Sequence, residues 1–204
     1  MRCSSHYLHC TTLNVRGLSE RKRQSQLYRL ISERQLDVVA FQETKVETEQ
    51  STERMVRVFS SSYEVYVSHA VGLSEGCLIL IRRSSGAVLQ NVTSNLSGRF
   101  VICDFILASK KWRIVYVYAP TKADERKVFF EELQARLGTE RVVVLMGDFN
   151  FVCSARDKST CTPYRDGSTI ALNGIAADFG LEDVGMRWDG RRRCSSPTFK
   201  ARAT

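Results

Sequence analysis

The chain has 204 residues, 43% of them hydrophobic and 25% charged, the proportions of a soluble globular protein long enough to bury a substantial core. No apolar run approaches the ~20 residues of a membrane span, and the opening MRCSSHYLHCTTLNV lacks the continuous apolar stretch of a signal peptide. Thirty Lys and Arg against twenty-two Asp and Glu leave a formal charge of +8, which argues for a polyanionic partner, nucleic acid being the commonest.

In chain order, TTLNV (11–15) reads as a first strand. A turn at Arg16–Gly17 follows, with Ser19 as cap of a helix starting near Glu20. Leu27, Leu30, Ile31 and Leu36 recur there at helical spacing. DVVAFQE, opened by Asp37, is too short for a helix and reads as a buried strand, and residues 46–58 as a second helix. YEVYVSH (63–69), CLILIRR (77–83), AVLQNV (87–92), RFVICDFIL (99–107) and WRIVYVYA (112–119) are rich in β-formers. Short turns separate them, so neighbours are expected to pair as antiparallel hairpins. Residues 123–137 form an amphipathic helix with Val128, Phe130, Leu133 and Leu137 as core contacts, ended by Gly138. VVVLM (142–146) is the next strand, 168–179 a helix, Leu181–Val184 a strand, and SPTFKARAT the opening of one more. Helix–strand units around a hairpin-rich middle suit one layered α/β domain over residues 1–204.

Seven cysteines, odd in number and without C-x-x-C, argue against a disulfide framework and for an intracellular location, nucleus or cytoplasm. Cys77 and Cys103 read as small core residues. Cys3, His6, His9 and Cys10 fit no usual zinc spacing. Basic runs at 21–23, 82–83 and 191–193 each read as solvated faces when taken singly.

Four apolar strands finish in polar residues: the first at Asn14, the second at Gln42–Glu43, a later one at Tyr118, and VVVLM at Asp148 and Asn150. If the backbone stays extended past Gly147, Asp148 and Asn150 face one way and Phe149 turns back into the core. Each has a plain alternative: a turn residue for Asn14, Asp148 and Asn150, the start of a solvated helix for Glu43, a satisfied core hydroxyl for Tyr118. Gathered at one sheet edge, they make a hard oxygen environment suited to Mg²⁺ or Mn²⁺ and to metal-assisted phosphodiester hydrolysis. No serine-nucleophile motif, P-loop or G-x-G-x-x-G supports acyl transfer, ATP hydrolysis or hydride transfer.

LNVRGL (13–18), FQETK (41–45), VYVYAPT (115–121) and GDFNFV (147–152), in this order, resemble the endonuclease/exonuclease/phosphatase family, which includes exonuclease III and the apurinic endonucleases. SEGCLILIRR (74–83), DKS (157–159), YRDGST (164–169) and GLEDV (180–184) resemble the endonuclease domain of non-LTR retrotransposons. The resemblance implies a four-layer α/β sandwich, two mixed sheets face to face with helices outside. It implies that Glu43 binds the metal, with Asn14 near metal and phosphate. Tyr118 would contact the scissile phosphate, Asp148 position the attacking water or leaving group, and Asn150 bind the phosphate oxygens. It further implies Mg²⁺ (or Mn²⁺), DNA as partner, no membrane, and a place in a larger polyprotein with reverse transcriptase. The family's closing Ser-Asp-His strand has no counterpart here, so the chain reads as C-terminally incomplete, lacking its last strands. Two functions follow: a DNA-nicking endonuclease domain, or a catalytically dead remnant that at most binds nucleic acid. The +8 charge argues against a small phosphoester substrate. Residues 153–168, with Arg156, Lys158 and Arg165, are a candidate loop for target choice; Trp188 is a candidate for base stacking, and Trp112 for the core.

Overall fold

The computed structural model describes residues 8–46, 48–68, 76–95, 98–151, 167–183 and, as backbone, 199–201. The expectations for Cys3, His6, Arg156, Lys158, Arg165 and Trp188 lie outside the described residues.

Strand β1 (Cys10–Asn14) runs parallel to β2 (Val38–Gln42), with helix α1 (Arg21–Glu33) as the crossover. Helix α2 (Glu49–Phe59) leads to β3 (Tyr63–Ser68) and β4 (Cys77–Arg82), and the first sheet has the order β1-β2-β4-β3. Strands β5 (Val88–Ser94), β6 (Phe100–Leu107) and β7 (Lys110–Tyr118) form an antiparallel meander. Helix α3 (Ala123–Leu137) returns the chain to β8 (Val142–Asp148), parallel to β7. Helix α4 (Gly167–Asp178), β9 (Leu181–Asp183) and β10 (Phe199–Ala201) complete a second sheet of order β5-β6-β7-β8-β10-β9.

The expected run of hairpins breaks between β4 and β5. β4 already has β2 on one edge and β3 on the other, so no edge is left for β5. A short 3₁₀ turn (Arg83–Ser85) and Gly86, at φ 76°, carry the chain to the second sheet instead.

Side-chain alternation builds the layers. Val38 and Ala40 of β2 point inward with Ile79 of β4 and Val101, Cys103, Phe105, Ile114, Tyr116 and Met146 of the second sheet, a core shared by both sheets. Val39 and Phe41 point the other way, beneath Ile31 of α1 and Met55 and Phe59 of α2. The outer face of the second sheet packs on Phe129, Phe130, Leu133 and Leu137 of α3 and Leu172 and Ile175 of α4. The result is the four-layer sandwich of two mixed sheets with helices outside. Cys77 and Cys103 are buried as expected, and Trp112 packs against the shared core.

Three local expectations are corrected. Val128 is 66% exposed. At ~100° per residue it lies on the opposite side of α3 from Phe130, Leu133 and Leu137, whose face instead continues to Arg126. Ser19 does not cap α1; Glu20 occupies the N-cap position without a side-chain bond, and the first turn holds no acid. Helix α2 does have a capping box, between Thr48 and Ser51, so it starts at Glu49 and not at residue 46. None of the described helices is long and apolar enough to cross a membrane.

Candidate active site at the strand ends

Parallel pairing sets Asn14 beside Gln42 at the end of β1 and β2, and Tyr118 beside Asp148 at the end of β7 and β8. Parallel strands joined by helical crossovers finish on the same side, where open α/β sheets present their ligand crevice. The two sheets meet there. Tyr118 of the second sheet donates its hydroxyl to Glu43 Oε1 at 2.9 Å, and Asn14 Nδ2 of the first sheet donates to the same oxygen at 2.7 Å. The Arg16 N–H donates to Asn14 Oδ1 at 3.2 Å, which turns the amide's donor end toward Glu43.

The backbone around Glu43 is unusual. Arg16, Glu43 and Lys45 have φ of 48°, 50° and 52°, left-handed values that non-glycine residues rarely adopt. Bonds from Val15 N to Gln42 O, Gly17 N to Glu43 O and Leu18 N to Thr44 O hold the two loops in this geometry. Such conformers cost of order 1–3 kcal/mol each and persist where the surroundings over-determine them, often at functional sites.

On the second sheet, strand β8 ends at Asp148 and the chain turns. Asp148 Oδ1 accepts the Asn150 N–H at 3.0 Å, an Asx turn that leaves Asn150 at φ 52°. The expected extended alternation past Gly147 is therefore replaced by a turn, although Phe149 does point into the core, 1% exposed. Asn150 Nδ2 donates to Ala119 O at 2.6 Å and Ala119 N to Asp148 O at 2.8 Å, stitching the turns after β7 and β8 together.

Asn14, Glu43, Tyr118, Asp148 and Asn150 are thus assembled at one edge from four separate points of the chain. Burial, with the hydrogen bond to Glu43 and the charges of Glu43 and Asp148, pushes the Tyr118 phenol up to about 12, against a smaller opposing effect of Asn150. Tyr118 therefore keeps its proton and stays a donor at neutral pH. Its folded value exceeds the ordinary 10, so its contribution to stability is complete below pH 10 and lost as pH rises through about 12. In denaturant titrations of the metal-free protein, the stability difference between wild type and Tyr118→Phe should stay constant up to about pH 10 and shrink above it. A difference already shrinking below pH 9 would contradict this.

No described residue donates to Glu43 Oε2 or Asp148 Oδ2. Among the described residues no group of three or more His, Cys, Asp or Glu converges to hold a metal. Mg²⁺ needs only one or two carboxylates and keeps waters on its other positions, so the half-buried Glu43 carboxylate, with the Asn14 amide beside it, fits such an ion. Zinc, with its preference for nitrogen and sulfur, fits poorly.

Two features escaped the sequence reading. Arg126, 2% exposed, reaches under both turns of the second sheet; only its place on the helical wheel beside Phe130 signals this. A groove of about 610 Å³ between α1 and α2 is lined by Ser19, Arg21, Gln24, Arg54, Arg57 and Val58, with no acidic residue among them. Arg21, which opens the basic run at 21–23, lies 33 and 36 positions from Arg54 and Arg57 in the sequence, so nothing local announces that the three converge.

A match to the Endonuclease/Exonuclease/phosphatase family covers residues 11–203. The chain is 29% identical over 184 residues to the Transposon TX1 uncharacterized 149 kDa protein of Xenopus laevis, spanning 87% of this chain and 14% of that protein's length. The Xenopus laevis APE2 catalytic domain superposes with a TM-score of 0.71 at 16% identity, over 95% of this chain and 82% of that one. An AP endonuclease from Archaeoglobus fulgidus superposes with a TM-score of 0.68 at 16% identity, over 96% and 87% of the two chains. At these identities the two structures share the fold.

Proposed function

Because the chain belongs to the endonuclease/exonuclease/phosphatase family, we propose that it hydrolyses DNA phosphodiester bonds as a Mg²⁺-dependent nicking endonuclease. The observation that carries the reading is the single Glu43 oxygen shared by Asn14 of one sheet and Tyr118 of the other. It makes the strand ends of both sheets one polar site. The likeness to a transposon protein some seven times the length of the matched region, at 14% coverage, supports a place within a larger transposon protein; that this larger chain is a retrotransposon polyprotein with a reverse transcriptase is part of the same proposal.

In this reading Glu43, and Asn14 through its amide oxygen, would hold the Mg²⁺ (or Mn²⁺). When bound, the ion neutralises charge developing on the phosphate. Asp148 Oδ2 accepts the proton of the attacking water, and the Asn150 N–H on Oδ1 fixes the direction of the carboxylate. The water oxygen forms the new P–O bond as the sugar alkoxide departs. Tyr118, protonated, would turn its single O–H from Glu43 Oε1 to a non-bridging oxygen when the phosphate binds, and the second N–H of the Asn150 amide, not the one on Ala119 O, would donate to another. The +8 charge and the Arg21, Arg54 and Arg57 groove suit a polyanion longer than one phosphate.

Supercoiled plasmid with Mg²⁺ tests the proposal. Conversion to nicked circles is expected, stopped by EDTA and by Asp148→Ala. Nicking indifferent to Asp148→Ala would belong to a contaminant and end the reading. Salt-sensitive DNA binding without nicking would leave a nucleic-acid-binding protein in its place.

A further inference from the structure

Arg126 lies on the buried face of α3, 2% exposed, in the row that continues through Phe130, Leu133 and Leu137. An apolar side chain would serve packing there, and taking a guanidinium out of water is costly. Its hydrogen bonds show what the charge does. Nη1 donates to Pro120 O at 3.0 Å, to Thr121 O and to Asn150 O at 3.2 Å. Nε donates to Ser168 Oγ at 2.9 Å, in the first turn of α4. The guanidinium also lies 5.5 Å from the centre of the Phe151 ring. One side chain thereby ties the turn after β7, the turn after β8 and the start of α4.

Asn150 is held from both ends. Its side chain donates to Ala119 O, its N–H to Asp148 Oδ1, and its carbonyl accepts from Arg126. The left-handed conformer of Asn150, φ 52°, is fixed by this combination. Arginine suits the task because its donors are locked in a planar fork. Lysine offers three donors on one freely turning atom and cannot reach Ser168 and the strand-end carbonyls in the same way.

We infer that Arg126 is a positioning residue for the strand-end site: by clamping the carbonyls of Pro120, Thr121 and Asn150 it sets the spacing between the turns that carry Tyr118 and Asp148–Asn150. The inference rests on the roles proposed above for those residues, and Arg126 itself touches no substrate.

The test compares wild type, Arg126→Lys, Asn150→Ala, their double variant, and Leu137→Ala, a core truncation on the same face of α3 away from the turns. Nicking is followed as kcat and KM well below every melting midpoint, and backbone order by amide hydrogen exchange. Arg126→Lys should lower kcat by ~10–10²-fold, the scale of a small misplacement of reacting groups, with KM within about 3-fold. Leu137→Ala should keep kcat. The double variant should be no slower than Asn150→Ala, because both changes break the same arrangement. The amides of Ala119, Thr121 and residues 148–151 should exchange faster together in Arg126→Lys, while β6 keeps its protection. A wild-type kcat in Arg126→Lys, an equal loss in Leu137→Ala, or additive losses in the double variant would overturn the inference. If wild type does not nick, the functional reading fails, and exchange alone then decides: loosening of both segments supports the clamp, and loosening of one or neither refutes it.

Discussion

Glu43→Gln should lower Mg²⁺-dependent nicking by ~10²-fold or more without unfolding the protein. The substitution keeps the shape and an acceptor oxygen, so Asn14 Nδ2 and the Tyr118 hydroxyl retain the partner they now have at 2.7 Å and 2.9 Å. It removes the negative charge, and with it the attraction for a divalent cation. The same charge helps push the Tyr118 phenol up to about 12, so the phenol should titrate lower in the variant. Melting temperature should hold or rise, since polar groups gathered for function carry strain that substitution relieves. The nicking rate against Mg²⁺ concentration, with a thermal melt of each protein, checks all of this. A rate within about 3-fold of wild type would remove Glu43 from the metal site, and a collapsed melt would assign it to folding.

Gly147→Ala should be far more destabilising than alanine at Gly17, Gly86, Gly138, Gly167, Gly174 or Gly180, where an added Cβ meets nothing within 4 Å. A Cβ on Gly147 would stand 1.9 Å from the carbonyl oxygen of Val117 and 2.8 Å from its carbonyl carbon and its nitrogen, all backbone of the neighbouring strand. The residue also sits at φ 147°, where side chains are disfavoured. Backbone cannot step aside as a flexible side chain can, so β7 and β8 must part where Tyr118 and Asp148 are paired. A loss of about 3 kcal/mol or more in denaturant unfolding is expected, at the upper end of overpacking costs. Gly138→Ala is the control: nothing lies within 4 Å of its Cβ and φ is −53°, so its stability should stay within about 0.5 kcal/mol of wild type. Equal stabilities for the two variants would contradict the close approach of β7 and β8.

The short unbroken apolar runs in VVAFQ and VVVLM revealed buried strands, and their polar ends marked where chemistry would gather. A run of four or five apolar residues is too brief for a helix and suits a strand buried on both faces, so it is visible in any one segment. Helix α3 was legible in extent but not in facing. Both Val128 and Phe129 offer apolar surface; the outer face of the second sheet selects the phenylalanine and leaves the valine 66% exposed. Pairing was legible for β6 and β7 and misleading for β4 and β5, because local turn signals say nothing of whether a strand edge is already occupied.

The sequence by itself determined the strands, the polar residues that end them and the family they resemble, since all three depend on residues close in the chain or in fixed order. Tertiary structure alone decided that a tyrosine from one sheet and an asparagine from the other would share one oxygen of Glu43. It likewise decided the left-handed backbone of Glu43 and Asn150 and the burial of Arg126 beneath the turns. Each of these depends on how two sheets and a helix lie in space, and elements 29 to 75 residues apart carry no local signal of where the others will be.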